Sequence, residues 1–313
     1  MADNKRKVAL VLGGGGARGL AHIGVLEVLE EHHISIDLVV GTSIGAFVGG
    51  FYAARISVDE MERVAKAVDR IMVARMLAPN FSTGGFVDTG RIRKFLIDFI
   101  GDSKIEQLDV PFAAVAADLN TGEARVLTQG SLVEAIMAST AIPALFPAVS
   151  YDGGYLIDGG LVEPLPVRAA RTLGARIIVA VNVAAKPGKL KQNKRPRGEH
   201  AAARLNKTVS MLRSRLLREE NQGQTSLNDQ NDANALSPSA IKTFMQSVSI
   251  VENNLIAHQL RDTSPDILIS PDIHEFGILE FHRGKELIAC GVKAALKALP
   301  AIQAVYEMDS NKR

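Results

Sequence analysis

A serine flanked by glycines stands where an apolar segment gives way to a helical one. Residues Gly41–Gly45 read Gly-Thr-Ser-Ile-Gly and follow the apolar run Ile36–Val40. The glycines at 41 and 45 carry no side chain that would clash where a strand turns sharply into a helix. The helix that begins near Ile44 would point its positive end at Ser43 and favour negative charge there. The spacing predicts that Ser43 is a nucleophile, with a plain turn serine as the alternative.

A second glycine-rich run, Gly13–Gly19, follows the apolar run Val8–Leu12. Its glycines at 14, 16 and 19 fit a dinucleotide-binding loop, but no acidic residue ends the next strand, as that fold would require. A phosphate loop would need Gly-Lys-Ser/Thr after the glycines, which is absent, and tight packing is a third interpretation. Because Ser43 ends the next strand, we expect the run to offer backbone N–H groups to an acyl oxyanion.

A nucleophilic serine needs a base, and this sequence offers histidines and carboxylates. Of the seven histidines, His274 and His282 are the best candidates for a Ser-His-Asp/Glu triad. Asp158 follows the short apolar run Tyr155–Ile157 and precedes two glycines, which would let the backbone approach the site closely. Asp152 lies six residues earlier and is typical of a hairpin turn. On the residues alone, both kinds of base stay open.

These residues need elements to position them, and hydrophobic periodicity predicts such elements from Val8 to about Val183. Short apolar runs predict strands at Val8–Leu12, Ile36–Val40, Pro111–Ala117, Ala124–Thr128 and Arg176–Val183. Longer amphipathic runs predict helices at Leu20–His32, Ala46–Arg55, Val58–Arg70, Thr89–Ile100, Ser131–Ser139 and Pro164–Leu173. A further strand, Asp266–Ile269, and a closing helix, Glu280–Leu299, follow. This alternation predicts an α/β fold with three α/β/α layers and a mainly parallel sheet.

Composition sets outer limits on the class of protein. With 313 residues, 47% hydrophobic and 22% charged, the chain is typical of a globular protein with one sizeable core. Its single cysteine, Cys290, excludes an internal disulfide and fits a reducing compartment. The basic N-terminal residues lead into only five apolar ones, so we expect no signal peptide. No apolar run approaches the roughly 18 residues of a membrane span. We therefore expect a cytoplasmic protein.

One segment, 186–240, departs from the pattern and is predicted to be an insertion within a single domain spanning 1–313. Residues 186–218 carry 11 Lys or Arg against one Glu, a net charge of +10, whereas the whole chain carries +2. Residues 219–240 are polar and low in complexity, which predicts disorder. Apolar residues recur at helical spacing in the basic part, at Leu205, Val209, Leu212 and Leu216. We expect 188–218 to dock on anionic membrane. The alternatives are a solvated loop, or nuclear import or nucleic-acid binding by Lys191–Arg197.

At this point four segments resemble the patatin-like phospholipases, a family of serine acyl hydrolases with a Ser-Asp dyad. They are Gly14–Gly19, Gly41–Gly45, Ala138–Pro143 (Ala-Ser-Thr-Ala-Ile-Pro) and Asp158–Gly160. The likeness covers about residues 7–185 well and 244–295 loosely. Glu163 departs from it, because the family often has Asn before the proline after Asp-Gly-Gly. A second carboxylate is therefore expected near the base.

The resemblance implies a patatin-like fold, Ser43 as nucleophile and Asp158 as base. It implies an oxyanion hole at Gly14, Gly15 and Gly16 with help from Arg18. Motif support is expected from Gly19, Gly41, Gly45, Gly159 and Gly160. The implied substrate is a lipid acyl ester, of a phospholipid or lysophospholipid. We expect no metal, no cofactor and no nucleic acid; the alternatives are a conventional triad esterase and an inert lipid-binding protein.

Overall fold

The computed structural model describes residues 7–76, 87, 89–184 and 240–310. In chain order the strands are β1 (Val8–Leu12), β2 (Leu38–Thr42), β3 (Phe112–Asp118), β4 (Ala124–Leu127), β5 (Val149–Tyr151), β6 (Gly154–Asp158), β7 (Ile177–Val181) and β8 (Ile267–Ile269). The helices are α1 (Ala21–Glu31), α2 (Ile44–Ala53), α3 (Val58–Ala67), α4 (Arg70–Met76), α5 (Thr89–Ile100), α6 (Leu132–Ser139), α7 (Val167–Thr172), α8 (Ala240–Asp262) and α9 (Gly284–Ser310).

The strands of the described residues form one sheet in the order β5-β6-β3-β2-β1-β7-β8, and β4 pairs with β3. The centre of the sheet is parallel, from β3 through β2, β1 and β7 to β8. The β5–β6 hairpin adds antiparallel strands beside β3. Because parallel strands end at one edge of a sheet, the loops after β1 and β2 lie side by side. This topology brings the glycine-rich run next to Ser43.

The sheet is covered on both faces, as the alternation along β1 shows. Leu10 and Leu12 pack in the hydrophobic cluster that contains α1, α2, α6 and α9. Ala9 and Val11 pack in the opposite cluster, which contains residues of α7 and α8. Side chains alternate across a strand, so a strand that is apolar throughout is buried on both sides. The predicted three-layer α/β/α class is confirmed.

Most predicted elements are present within a few residues of their expected bounds. The strand β1 and the helix α5 match their predicted bounds, and the Asp152 turn joins β5 to β6 as a hairpin. The helices α4 and α8 were not predicted. The closing helix continues through Pro300 to Ser310, beyond the predicted end at Leu299, and Ile302 in this extension is fully buried.

The C-terminal helix differs from the expectation that the chain has no apolar stretch near the length of a membrane span. The helical stretch Phe281–Tyr306 is long and apolar enough to cross a membrane by length and composition, with a mean hydropathy of 1.4. In the structure α9 crosses α1 with the two backbones in contact. A Cβ at Gly291 would lie 2.0 Å from the Ala21 carbonyl oxygen, and one at Gly24 would lie 2.1 Å from that of Ile288. These two glycines therefore permit the close crossing of α1 and α9.

The chain divides into two compact units, residues 1–188 with 245–313, and residues 189–244. The first unit holds the sheet and every site residue predicted above. The predicted basic segment 188–218 and the predicted disordered segment 219–240 lie outside the described residues, except for residue 240 at the start of α8. The single-domain assignment with an insertion stays a prediction.

Candidate active site

Ser43 lies on a tight turn between β2 and α2. Its backbone has φ 55° and ψ −124°, a left-handed conformation that is strained for a residue with a side chain. A Cβ at Gly41 would lie 2.4 Å from the Gly45 carbonyl oxygen, and a Cβ at Gly45 would lie 2.0 Å from that of Leu12. Both glycines are therefore required by backbone contact. The turn presents the hydroxyl of Ser43 at the edge of the sheet where β1 and β2 end.

Asp158, the last residue of β6, accepts a hydrogen bond from the Ser43 hydroxyl. The Ser43 Oγ donates a hydrogen bond of 2.6 Å to Oδ2 of Asp158, and the Gly160 N–H donates one of 2.7 Å to Oδ1. Both side chains are buried. Burial raises the pKa of Asp158 to about 6, while the hydrogen bonds from Ser43 and Gly160 act in the opposite direction. The carboxylate is therefore ionised at neutral pH and faces the proton of Ser43.

Gly159 brings this carboxylate close to the sheet. A Cβ at Gly159 would lie 2.2 Å from the Val115 carbonyl oxygen of β3, which no side chain could accommodate. The neighbouring residue Gly160 has Glu252 and Asp158 oxygens as its nearest atoms. The two glycines after Asp158 thus meet different requirements, since one allows backbone contact and the other lies beside two carboxyl groups.

The Ala138–Pro143 segment ties the serine and the aspartate together, a role that sequence reasoning did not assign. The Ser43 N–H donates to Oγ of Ser139 at 2.9 Å, and the Ser139 hydroxyl donates to the Val115 carbonyl at 2.6 Å. The Asp158 N–H donates to the Ala141 carbonyl at 3.0 Å. One short segment therefore fixes the backbone of both residues. The only signal for this segment in the sequence was its resemblance to a stretch of the patatin-like phospholipases.

The glycine loop, Gly13–Gly19, lies beside Ser43, and its N–H groups have different partners. The N–H of Gly14 donates to the Pro164 carbonyl at 2.8 Å, and the N–H of Ala17 donates to the Ile278 carbonyl at 2.8 Å. Within the residues that the structure describes, the N–H groups of Gly15 and Gly16 have no acceptor, and both residues line the cavity. Of the predicted donors, Gly15 and Gly16 are therefore available to an oxyanion, whereas Gly14 N–H is engaged.

Neighbouring atoms leave no room for a side chain at three positions of this loop. A Cβ at Gly15 would lie 2.7 Å from the Val183 carbonyl oxygen. Gly16 has φ 59°, and a Cβ there would lie 2.4 Å from the Ile278 carbonyl oxygen. A Cβ at Gly19 would lie 2.1 Å from the Ile44 side chain, at the start of α2. The loop thus touches the serine turn on one side and the C-terminal segment on the other.

Arg18 holds the glycine loop in position. Its Nε donates a hydrogen bond of 2.7 Å to the Phe276 carbonyl, so the side chain joins the glycine loop to the segment that covers it. Arg283 lies over the Phe276 ring with its Cζ 4.0 Å from the centroid. Arg18 is not among the residues that line the cavity. Its predicted share in oxyanion binding is therefore indirect in this arrangement.

A cavity opens over Ser43 and Asp158, and its lining is mostly apolar. The polar side chains in its wall are those of Ser43, Asp158, Ser249 and Glu252. Its apolar lining residues are Ile142, Pro143, Leu145, Phe146, Leu161, Met245, Val248, Ile278, Leu279 and Phe281. The wall beside the reactive hydroxyl therefore suits contact with an apolar group, with few polar groups to fix its orientation.

The histidines proposed for a triad lie elsewhere. His274 is exposed, with its Nδ1 2.6 Å from Oδ1 of Asp272, and His282 is half-buried. No histidine lines the cavity in the part of the chain that the structure describes. His22 is buried beneath the glycine loop, with its Nε2 2.9 Å from the Gly13 carbonyl oxygen, and burial lowers its pKa to about 4. This neutral ring supports the loop.

The second carboxylate expected near the base is a different residue. Glu163 is buried, and its Oε1 accepts a hydrogen bond of 3.0 Å from the Ala169 N–H in the first turn of α7. Thr42 donates to the Glu163 carbonyl at 2.8 Å, so this residue supports the scaffold. The carboxyl that shares the cavity with Asp158 is that of Glu252 on α8, which sequence reasoning missed.

Comparison with known proteins shows which family the sequence resembles. A family profile described as Patatin-like phospholipase matches residues 10–171. An NTE family protein of Mycobacterium tuberculosis is 31% identical over 98% of this chain and 94% of its own length. Lysophospholipase nte1 of Emericella nidulans is 37% identical over 57% of this chain, which is 12% of that protein. Among solved structures, VipD from Legionella pneumophila aligns with a TM-score of 0.48 at 13% identity, over 96% of this chain and 67% of that one.

Proposed function

The chain belongs to the patatin-like phospholipase family, and from this premise we propose that it cleaves lipid acyl esters with Ser43 as nucleophile and Asp158 as base. The observation that carries the proposal is the hydrogen bond of 2.6 Å between Ser43 Oγ and Asp158 Oδ2 in the wall of an apolar cavity. A serine hydroxyl becomes a useful nucleophile only when a base within hydrogen-bond reach takes its proton. Asp158 is the group in that position.

The reaction begins with acyl transfer to the enzyme. Ser43 Oγ attacks the ester carbonyl carbon while its proton passes to Oδ2 of Asp158. Negative charge develops on the carbonyl oxygen, where the N–H groups of Gly15 and Gly16 would receive it. The intermediate collapses when the carbon–oxygen bond to the alcohol breaks, and Asp158 returns the proton to the departing oxygen. The positive end of α2 behind Ser43 favours the same charge.

Water then releases the acyl group by the reverse sequence of proton transfers. A water oxygen attacks the acyl carbon and gives its proton to Asp158. The bond from that carbon to Ser43 Oγ breaks, and Asp158 returns the proton to the serine. The products are the free acid and the original enzyme, so the cycle needs one base that serves twice.

The substrate class follows from the apolar wall and from the relatives. Residues such as Leu145, Phe146, Met245 and Phe281 would contact an acyl chain rather than a small polar group. A relative of this chain carries the name lysophospholipase. We take a phospholipid or lysophospholipid as the substrate, with the phospholipase A or lysophospholipase type of cleavage.

The test compares wild type with Ser43→Ala across a panel of diacyl and monoacyl lipids. Ser43→Ala should abolish hydrolysis and covalent fluorophosphonate labelling, with an unchanged circular dichroism spectrum. Ser150→Ala, at an exposed serine of β5, is the matched control and should retain both. Labelling that persists at another serine in Ser43→Ala would contradict the assignment. A wild type that neither labels nor hydrolyses any lipid would favour an inert lipid-binding protein.

Peripheral contact with anionic membrane through 188–218 stays a prediction, because this segment lies outside the described residues. Each basic residue near an anionic surface contributes roughly 1 kcal/mol. Deletion of 188–218 should therefore weaken co-sedimentation with anionic liposomes and leave hydrolysis of a soluble short-chain ester nearly unchanged. Equal liposome binding by both proteins at low salt would favour a solvated loop.

A further inference from the structure

Glu252 is a buried carboxyl group that the two-residue mechanism does not use. It lies on α8, is 9% exposed and lines the cavity together with Ser43 and Asp158. No hydrogen bond joins its carboxyl oxygens to any residue that the structure describes. Its oxygens lie in the cavity wall within reach of water, which is the partner that a carboxyl in this position can find.

The geometry at Gly160 limits how far apart the two carboxyl groups can be. A Cβ built on Gly160 would lie 2.6 Å from Oε1 of Glu252 and 3.0 Å from Oδ1 of Asp158. The two oxygens are therefore within about 6 Å of each other, which is the span of one water molecule that hydrogen-bonds to both. Gly160 has no positive φ that would require glycine. The two carboxyl oxygens themselves leave no room for a side chain at this position.

The charges around Glu252 favour its neutral form. Burial and the negative charge of Asp158 raise the pKa of Glu252 to about 8, whereas the guanidinium of Arg18 acts in the opposite direction. Arg18 in turn interacts with Glu280 on the covering segment. A neutral carboxyl can both donate and accept a hydrogen bond, and it adds no second anion beside a developing oxyanion. Such a group can hold a water molecule without opposing the reaction.

We propose that Glu252 positions the hydrolytic water against Asp158, in the cavity that both carboxyl groups line. The proposal rests on the proposed Ser43–Asp158 mechanism and concerns its second step alone. The Glu252 carboxyl would orient the water so that its oxygen attacks the acyl carbon. The water gives one proton to Asp158, the bond from the acyl carbon to Ser43 Oγ breaks, and that proton passes to Ser43. Glu252 ends the step as it began.

Only the second step needs this help. Before acylation the serine hydroxyl already donates to Asp158 at 2.6 Å, so the first nucleophile is held by the protein. After acylation the second nucleophile comes from solvent and must be placed by a group in the cavity. Glu252 is therefore a positioning residue for deacylation, and its loss should separate the two steps.

The experiment is stopped-flow hydrolysis of a p-nitrophenyl ester by wild type, Glu252→Leu, Glu252→Gln and Gly160→Ala. In Glu252→Leu we expect kcat to fall about 10-fold, the effect of one lost hydrogen bond in the transition state. The acylation rate and the fluorophosphonate labelling rate should stay unchanged, so acyl-enzyme should accumulate as a burst of p-nitrophenol. Glu252→Gln should retain most deacylation, because a neutral amide also donates and accepts. Gly160→Ala should reproduce the burst, because its methyl group would press on both carboxyl oxygens and disturb a water held between them.

Mass spectrometry of the quenched reactions would identify the acyl group on Ser43. Glu163→Gln removes a buried carboxyl outside the cavity and should show no new burst. If Glu252→Leu slows acylation and deacylation equally, or shows the wild-type burst and kcat, the water-positioning role is wrong. If hydrolysis by the wild type does not depend on Ser43, the proposed function itself has failed, and these two failures are distinguishable in the same data.

Discussion

The cavity has two walls that differ in how they are held. The sheet wall consists of Ser43, Asp158 and the loop at Gly15 and Gly16, and the helix wall consists of residues 245–252 of α8 and 278–281. In the sheet wall, backbones touch so closely that a Cβ at Gly45 or Gly159 would lie 2.0 or 2.2 Å from a carbonyl oxygen. The glycine loop donates two hydrogen bonds toward the helix wall, from Ala17 N–H to the Ile278 carbonyl and from Arg18 to the Phe276 carbonyl just before it. We infer that the sheet wall sets the chemistry, and that the helix wall sets access and the placement of water.

The largest effect should come from the base in the sheet wall. A positioned general base contributes roughly 10²- to 10⁴-fold, so Asp158→Asn should lose at least 10²-fold in kcat/KM. Asn keeps the size of the side chain but cannot accept the proton of Ser43. Steady-state hydrolysis of a soluble ester measures the loss.

The same assay on His274→Gln, His282→Gln and Asp152→Asn supplies controls, because these three residues lie outside the cavity lining. Each should retain most of the activity. A loss in either histidine variant as large as that of Asp158→Asn would replace the dyad with a Ser-His-Asp/Glu triad.

A side chain at Gly15 should have the next largest effect. Its Cβ would lie 2.7 Å from the Val183 carbonyl, a backbone atom that cannot move aside cheaply, so the amide would tilt away from the oxyanion. Loss of one oxyanion donor costs on the order of 10²–10³ in rate. Gly154→Ala is the matched control, since the nearest atom to its Cβ would be 3.8 Å away. If Gly15→Ala keeps full activity, the donors lie elsewhere, and micromolar binding of NAD or ATP would favour a nucleotide loop.

The acid limb of the pH profile tests the charge of Asp158. Burial raises the pKa of this carboxyl to about 6, so the base becomes protonated as the pH falls through that value. Activity should decline about tenfold for each pH unit below 6, as for a single required carboxylate. The labelling rate with a fluorophosphonate, followed from pH 4 to 8, should fall in parallel. An acid limb centred near pH 4 would show that burial does not raise the pKa of Asp158, and a limb that is unchanged in Asp158→Asn would show that another group titrates.

The smallest effect should come from the Arg18 hydrogen bond that connects the glycine loop to the segment covering it. Arg18→Met removes the hydrogen bond to the Phe276 carbonyl and should lower kcat/KM less than about tenfold, in line with one lost hydrogen bond. The loss should be greater for long acyl chains, which contact the helix wall, than for short ones. Arg63→Met changes an exposed arginine and should have no effect. A loss as large as that of Gly15→Ala would assign Arg18 directly to the oxyanion.

The difference between the walls also explains what the sequence could predict. Glycine is demanded wherever a Cβ would meet a backbone atom, so Gly41, Gly45 and Gly159 form short patterns that can be recognised without coordinates. The strands around them are apolar throughout, because both faces of the sheet are covered. Fold class and the position of Ser43 at a strand end could therefore be predicted from the residues, whereas Asp158 was favoured over a histidine only through the family resemblance.

The helix wall carries no such pattern. Glu252 lies 94 positions after Asp158 on a helix that was not predicted, and a glutamate within a helix is usually a solvated residue. Its burial depends on how α8 meets Gly160, which is a tertiary contact between ordinary residue types. Ser139 is a similar case, since its hydroxyl bonds to Ser43 N–H across 96 residues. Sequence spacing cannot indicate contacts of this kind.

The two cavity carboxyls also influence the folding equilibrium. Asp158 and Glu252 have ordinary pKa values of 3.8 and 4.5, and in the folded chain these rise to about 6 and about 8. The folded protein therefore binds more protons than the unfolded one between about pH 4 and pH 8, so its free energy of unfolding falls as the pH rises through that window. Ionisation of Asp158 makes catalysis possible and weakens the fold at the same time. Mild acid thus yields a protein that is inactive and, as far as these two groups are concerned, harder to unfold.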